Sequence, residues 1–597
     1  MKVLLVHPDD DVQLGPWRRT TWDLIVDFGW SGHNRCLKIG EQLGCRLLHY
    51  RALLSPDEYH RRLRKILGAG LGGLIGVDGL DWWDVLVPYY YGVVEQIMLM
   101  SALAERAENG AEFAATRPHA LVRTLEMVLG QKIRSFGGQR EGTIASRFRR
   151  YRNAAADLRT SQLAQIAFDK WDVDYRLRRL VSADRIGSSD SMILLPSAYE
   201  NVSRAQTRYA VMLPDHRFLQ VVTRKSGRIA DLSPNVGVRS LASYAPLPFK
   251  VSTEQECDRL LQLWNDFQRL MSARSTELAN AHRMGAFAGA GQILRKLLRV
   301  RDAWLRVFET EPISAVLSAD ENNPLTRLPV LLARARQIPT TYCDHGALNL
   351  TPSIRWHASD TYLARGEMAR DYWVRWCGLP PHRVLVGASQ SASPPAESPN
   401  RKPDSIVFFS EQYELSSGRV AQFYQEVLPP LCALALKTGS KLIVKLHPFE
   451  SARNRRRLVD KLLSAQQSAV VQVVDGALTP ELLERAWCAI TVESSIVLDC
   501  ALYRVPCFLC SWLDVSWSGY ASQFVQFGVG HVLNSAEEIT GIPGLLGKIR
   551  RANPGALSAA IDPQRLAGIL LGSDLARLSE AGSPETTIFS MNSHAGD

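Results

Sequence analysis

This sequence predicts an α/β protein built on parallel sheets, and two observations carry the prediction. Apolar runs too short to be buried helices recur along the chain, and segments of helical length separate them. The clearest case is 440–510. An apolar run at 441–445 is closed by His447-Pro448, a basic helical stretch covers 450–464, and a second apolar run follows at 470–474. A capped helix start stands at Thr479-Pro480-Glu481, and the run 489–492 leads into Ser494-Ser495. Continuous apolar runs are what strands covered on both faces require. The second observation is where the polar residues fall. His447-Pro448 and Ser494-Ser495 both follow a run directly, and in parallel sheets ligands bind beyond the carboxyl ends of the strands, where helix N-termini aim free N–H groups at anions. The spacing therefore predicts a phosphate site.

The chain has 597 residues and 46% hydrophobic content, enough for two or three well-buried domains. No apolar run approaches the roughly 18 residues that cross a bilayer, and Met1-Lys2-Val3-Leu4-Leu5-Val6 reads as a first strand rather than a signal peptide. A cytoplasmic protein is expected, resting at most on the inner face of the cytoplasmic membrane. Ten cysteines, several inside apolar runs (Cys343, Cys488, Cys500, Cys507), read as buried thiols of a reducing compartment. Cys507-Phe508-Leu509-Cys510 has the spacing of half a zinc site, but no second pair follows, so no metal is expected.

The net charge is +10 and the pI about 9.1. The excess is clustered at Lys132, Arg134, Arg140, Arg147, Arg149, Arg150 and Arg152, at Arg295, Lys296, Arg299 and Arg301, and at Arg453, Arg455, Arg456 and Arg457. Each cluster by itself reads as a solvated face. Together they favour an anionic partner: a nucleotide substrate, an acidic polymer or anionic lipid through peripheral contact. Nucleic acid is not expected, because no binding motif accompanies the charge.

In chain order, strands at 2–6 and 45–49, an apolar run at 23–28 and a helix near 34–43 form a Rossmann-like start. His7-Pro8-Asp9-Asp10 resembles the metal-binding opening of zinc-dependent sugar de-N-acetylases, but no later His-x-x-His pair completes such a site. The glycine-rich 68–79 lacks the Gly-Lys-Ser/Thr of a P-loop and reads as a mobile loop. Residues 88–181 read as a helical insertion, whose Tyr89-Tyr90-Tyr91, near Trp82-Trp83, could stack on a sugar or pack in the core. Alternation resumes with strands at 192–195, 218–223 and 314–318. The last ends in Asp320-Glu321-Asn322-Asn323, and the next, 338–342, ends in Cys343-Asp344-His345-Gly346. Acids and amides beyond one strand and Asp-His-Gly beyond the next mark a second cleft rim. Further strands are expected at 361–364 and 383–386.

The expected domains are 1–388 (acceptor side, insertion included), a Ser/Pro-rich linker at 389–404, a nucleotide domain at 405–572 and a polar, disordered tail at 573–597.

Two Rossmann-like domains facing a cleft, with His-Gly at one rim and His-Pro plus Ser-Ser-x-x-x-Asp at the other, resemble the two-domain GT-B fold. More narrowly, residues 338–510 resemble the bacterial surface polysaccharide transferases: CDP-glycerol glycerophosphotransferases, polysialyltransferases and capsule Kdo transferases. That resemblance implies a nucleotide-sugar donor as substrate, no separate cofactor, no metal, and a surface polysaccharide or lipid-linked glycan as acceptor. His447, Pro448, Ser494 and Ser495 would then hold the donor's phosphates, and Asp499 would bond the ribose or steady the serine loop. His345 or its neighbour Asp344 would be the general base, His345 being favoured because its free pKa suits the task. Asp320, Glu321 and Asn322 would line the acceptor side. The first 330 residues have no counterpart in those families. A glycerophosphotransferase, a nucleotide-sugar 2-epimerase and a non-catalytic nucleotide-binding protein are the alternatives.

Overall fold

The computed structural model describes all residues except 9, 30–32, 68–71, 107–109, 138–190, 225–226, 228–231, 245–250, 346–357, 390–402, 412–419, 448–449, 477, 493, 514–519, 550–552 and 574–597. The expected helix at 158–180, Pro448, most of the linker and the tail lie outside the described residues.

The chain is α/β, built on three sheets whose strand pairs are all parallel. The first holds β1 (Lys2–Val6), β2 (Leu24–Asp27), β3 (Arg46–His49), β4 (Glu112–Ala115) and β5 (Arg134–Ser135), in the order β3-β2-β1-β4-β5. The second holds β6 (Met192–Ser197), β7 (Arg217–Val222), β8 (Val236–Ser240), β9 (Ile313–Ser318), β10 (Thr340–Cys343), β11 (Thr361–Ala364) and β12 (Val384–Val386), in the order β12-β11-β10-β9-β6-β7-β8. The third holds β13 (Ser405–Phe409), β14 (Lys441–Lys445), β15 (Val471–Val474), β16 (Ala486–Thr491), β17 (Cys507–Cys510) and β18 (His531–Leu533), in the order β15-β14-β13-β16-β17-β18. Central strands are buried along almost their whole length: β6, β10, β11 and β13 expose no residue. Continuous apolar or small side chains at these strands are the price of covering both faces.

Where one sheet was expected before residue 388, there are two. The stretch read as a helical insertion begins with the helix Trp82–Arg106, which buries Trp82 and Trp83 completely, but then supplies β4 and β5. β4 pairs in register with β1, Lys2 opposite Glu112 and Leu5 opposite Ala115, and β5 pairs with β4, Ala114 opposite Arg134. Four-residue and two-residue strands carry too little periodicity to register beside long helices. The five-residue β8 likewise has no counterpart among the expected strands.

The second and third sheets share a core. One apolar cluster runs from Tyr342, Tyr362 and Trp373 through Leu557 to Val407, Val497 and Leu509. Trp373 is its centre, with ring centroids 5.0 Å from Tyr342, 5.1 Å from Tyr362 and 5.4 Å from Tyr372. Gly366 allows the approach here, since any side chain at that position would collide with the Ala556 carbonyl. Beyond it the chain returns to the second sheet. Ala388 and Ala560 form a parallel bridge, and the helix Pro563–Leu570 buries Leu566, Ile569 and Leu570 in a cluster with Leu195 and Leu317. The last helix is thus packed on the second sheet, although it follows the third in sequence.

All ten cysteines are free thiols. Among the described residues no helix is long and apolar enough to cross a membrane. Replacing the fully buried Trp373 by alanine should destabilise the joint by about 3–5 kcal/mol, as for other large-to-small changes at packed aromatics. Urea unfolding would measure this, and a cost under about 1 kcal/mol would show that the aromatic layer does not hold the two sheets together.

Candidate functional site

In the third sheet, successive strands move outward on either side of β13, so the loops after β13 and β16 part and leave a crevice at the switch point. Ser410 and Glu411 follow β13, His447 follows β14, and Ser494-Ser495 follow β16. A buried carboxylate ties the first two loops together. Glu450 accepts from the His447 backbone N–H (2.8 Å), from Ser410 Oγ (2.8 Å) and from Arg455 Nε (2.7 Å), and Ser410 Oγ in turn accepts from Tyr424 O–H (2.8 Å). The Glu450 side chain is 0% exposed and that of Arg455 4%. Burial pushes the Glu450 carboxyl up, and the Arg455 guanidinium opposes this.

Burial, and then the Lys445 charge, hold the His447 imidazole below its ordinary pKa of 6.5. Lys445 itself donates to the Leu446 and Gly476 carbonyls, each at 2.8 Å. The serine pair divides its work. Ser494 Oγ accepts from Ile496 N–H (3.4 Å), whereas Ser495, the residue at the start of the Ile496–Leu502 helix, makes no side-chain capping bond and is exposed. Asp499 is half-buried; desolvation raises its pKa, and the charges of Arg365 and Arg208 oppose the rise. Both arginines belong to the second sheet's unit, Arg365 directly after β11, so Asp499 faces across the boundary between the two sheets.

In the second sheet the switch point lies between β6 and β9. Asp320 follows β9 and is buried, with Oδ1 accepting from the N–H groups of Asn322 (3.2 Å) and Asn323 (3.3 Å). Asn323 caps the Pro324–Ala335 helix through Leu325 N–H. His345 Nδ1 is bonded to the Ala319 carbonyl, which joins the loops after β9 and β10. A carbonyl can only accept, so Nδ1 carries the proton in this bond, and in the neutral ring Nε2 is the basic nitrogen. Asp344 turns the other way and accepts from Trp373 Nε1 (3.2 Å). Opposite orientation is what neighbours on an extended backbone adopt.

A cavity of about 390 Å³ opens at this switch point. Tyr89, Tyr199, Arg224, Lys296, Asp320 and Asn322 line it. Glu321, expected at the rim, is instead fully buried and accepts from Ser359 Oγ and Tyr362 O–H (3.0 Å). An acid between two rim residues turns inward because the chain is extended there, and two buried hydroxyls satisfy it.

Of the sequence-predicted residues, the structure thus brings Asp320 and Asn322 to one switch point, with His345 one strand away and bonded to the same loop, and puts Ser494 and Ser495 at the other, with His447 one strand away. Tyr199, Arg224, Arg365, Ser410 and Glu450 went unread, because each is an ordinary surface-type residue until the fold juxtaposes it, and Lys296 was read only as one member of a basic cluster. One local signal existed: Glu450 stands three residues after a strand-end histidine, at reach for its backbone N–H.

Of the His7-Pro8-Asp9-Asp10 opening, His7, Pro8 and Asp10 are described, and they follow β1 at the first sheet's own switch point, beside β4. His7 N–H donates to Thr116 Oγ1 (2.9 Å), the His7 and His119 rings meet edge to face at 5.2 Å, and Asp10 is paired with Arg117. Among the described residues no group of three or more His, Cys, Asp or Glu is placed to hold a metal ion.

No protein-family model matches the chain, and no curated protein matches it. Solved structures resemble it in part. The S. aureus MnaA–UDP co-structure is 10% identical, with a TM-score of 0.40 over 66% of this chain and 99% of its own. UDP-GlcNAc 2-epimerase from Methanocaldococcus jannaschii is 12% identical, with a TM-score of 0.39 over 65% and 99%. The calicheamicin glycosyltransferase CalG4 is 14% identical, with a TM-score of 0.38 over 66% and 100%.

Two outcomes test the His447 loop. Glu450→Ala leaves Arg455 buried without its carboxylate and should cost about 3–5 kcal/mol in chemical denaturation; a near-neutral change would mean the pair does not hold the loop. The depressed His447 pKa also fixes a sign. Its contribution to stability is complete above about pH 6.5 and is lost as pH falls toward the folded value, because the unfolded chain takes up the proton first. An NMR titration of His447 should have its midpoint below 6.5, and Lys445→Gln should raise it without restoring it. A midpoint at or above 6.5 would contradict the buried geometry.

Proposed function

We propose that this protein is an inverting glycosyltransferase of GT-B type, moving a sugar from a nucleotide donor to a glycan or lipid-linked acceptor. The observation that carries the reading is His345: its Nδ1 donates to the Ala319 carbonyl, so that Nε2 is the basic nitrogen of the neutral ring, and Ala319 leads directly into Asp320, which lines a sugar-sized cavity. A general base needs that tautomer and that neighbourhood. Asp344 is the weaker candidate, since one of its oxygens is bonded to Trp373.

In the proposed reaction, Nε2 of His345 takes the proton from an acceptor hydroxyl. The hydroxyl oxygen attacks the anomeric carbon as the bond from that carbon to the donor phosphate breaks, and the electron pair leaves on the phosphate oxygen. The growing phosphate charge is met by His447, by the Ser495 hydroxyl and by the backbone N–H groups that open the Ile496–Leu502 helix. Fixed donors of this kind stabilise a leaving group without reorganising. A single displacement inverts the anomeric carbon.

Thermal denaturation with CMP, CDP, UDP and GDP and their sugar conjugates tests the donor site. A nucleotide present at about 100 times its Kd should stabilise the protein by about 2.7 kcal/mol, and His447→Ala should abolish that shift. His345→Ala should keep the shift and lower turnover by about 10²–10⁴-fold. If no nucleotide shifts the wild type, the transferase reading fails; if nucleotide is released from a sugar conjugate without any acceptor, an epimerase or hydrolase replaces it.

A further inference from the structure

We propose that the cavity at the β6/β9 switch point binds an anionic sugar unit, one that carries a carboxylate or a phosphate. As the acceptor's recognition site this rests on the transferase reading; as a binding site it does not.

Two tyrosines form its walls. Tyr89 is 42% exposed and Tyr199 38%, in contrast to Tyr90, Trp82 and Trp83, which are buried in the core. On a helix successive residues point about 100° apart, so packing Tyr90 inward turns Tyr89 out toward the cavity. Exposed aromatic faces that flank a cleft suit the C–H faces of a pyranose, while the phenol hydroxyls suit its edges.

Two cations supply the charge. The Arg224 guanidinium lies over the Tyr199 ring, 5.1 Å from its centroid, and donates to the Tyr199 hydroxyl. It is therefore oriented before any ligand arrives, and a guanidinium fork matches a carboxylate or a phosphate. Lys296 is exposed, and among the described residues it has no carboxylate partner. Its helix neighbours Arg295 and Arg299 differ, since both reach Glu254, at 3.1 and 3.6 Å. Against these two cations stands one lining carboxylate, Asp320, whose Oδ1 is engaged by two backbone N–H groups. The twelve-residue helix Pro324–Ala335 starts at the cavity and adds the positive end of its dipole.

The volume of about 390 Å³ lies within the range of about 300–1,000 Å³ that small-molecule sites occupy. Ala319, whose carbonyl holds His345, immediately precedes the lining residue Asp320. A sugar held here lies against the loop after β9 to which the proposed base is bonded, so under the transferase reading the contacts that select the acceptor also hold it on that side of the site.

The test is binding of glucose, glucose 6-phosphate, glucuronic acid and inorganic phosphate to the full chain, followed by calorimetry and saturation-transfer NMR. At least one acidic sugar should bind at least about tenfold more tightly than glucose, and the tighter of the two names the acid group. Arg224→Gln and Lys296→Gln should remove that preference while leaving glucose binding unchanged. Tyr89→Ala should weaken every sugar and leave inorganic phosphate unaffected; Tyr89 and Lys296 are exposed, so these variants should fold. Equal affinity for glucose and the acids, no sugar binding at all, or acidic-sugar binding that is indifferent to Tyr89→Ala would each overturn the proposal. His447→Ala should leave this binding intact, so failure of the donor site and failure of this one are read separately.

Discussion

The apolar joint centred on Trp373 is the contact on which the rest of the arrangement depends. Parallel sheets place their ligand-facing loops at one end only, so a cleft between two such sheets exists only if something fixes their mutual distance. Here it is a layer of fully buried aromatic rings from the second sheet packed against Val407, Val497 and Leu509 of the third. The same indole donates to Asp344, so the residue that joins the sheets also turns that carboxylate aside and leaves His345 as the base candidate. The return of the Pro563–Leu570 helix to the second sheet closes the connection a second time.

Two buried carboxylates fix the loops on either side of this joint. Glu321 gathers Ser359 and Tyr362 in the second sheet's unit, and Glu450 gathers Ser410, Arg455 and the His447 backbone in the third. Burying a charge is expensive, and a buried ion pair returns little net stability compared with apolar packing. What such groups give is a unique geometry, since only one arrangement of the loop satisfies every hydrogen bond around them. Loops that must present a histidine or a serine to a ligand need that uniqueness more than they need another increment of stability.

The charge pattern shows how a composition-level reading becomes specific. A net charge of +10 with three basic clusters suggested a diffuse anionic partner. In the fold, Arg301 is buried between Asp78 (2.9 Å) and Asp302 (2.8 Å), Arg455 is consumed by Glu450, and Arg295 and Arg299 share Glu254. Arg140, Arg147, Arg149, Arg150 and Arg152 lie outside the described residues. What remains at the switch-point cavity is Lys296 with an arginine from elsewhere in the chain, Arg224, which belonged to no cluster. The useful charge is the pair that the fold brings together.

The sequence by itself determined the class of fold and many of the strands that make it. Lys2–Val6, Thr361–Ala364, Ser405–Phe409 and Lys441–Lys445 were all legible, because a strand covered on both faces must be a short, continuous apolar run and few other elements look like that. It also marked the strand ends where polar residues follow such runs directly. Tertiary structure decided the rest. Whether 1–388 makes one sheet or two depended on β4 and β5, too short to carry a pattern. Which neighbour faces the cleft at Asp344-His345 and at Asp320-Glu321 depended on partners far away in sequence, Trp373 for one and Ser359 with Tyr362 for the other. The cavity was legible only in part: Asp320, Asn322, Tyr89 and Lys296 were each marked separately, Tyr199 and Arg224 were not, and only packing puts residues from so many elements around one space.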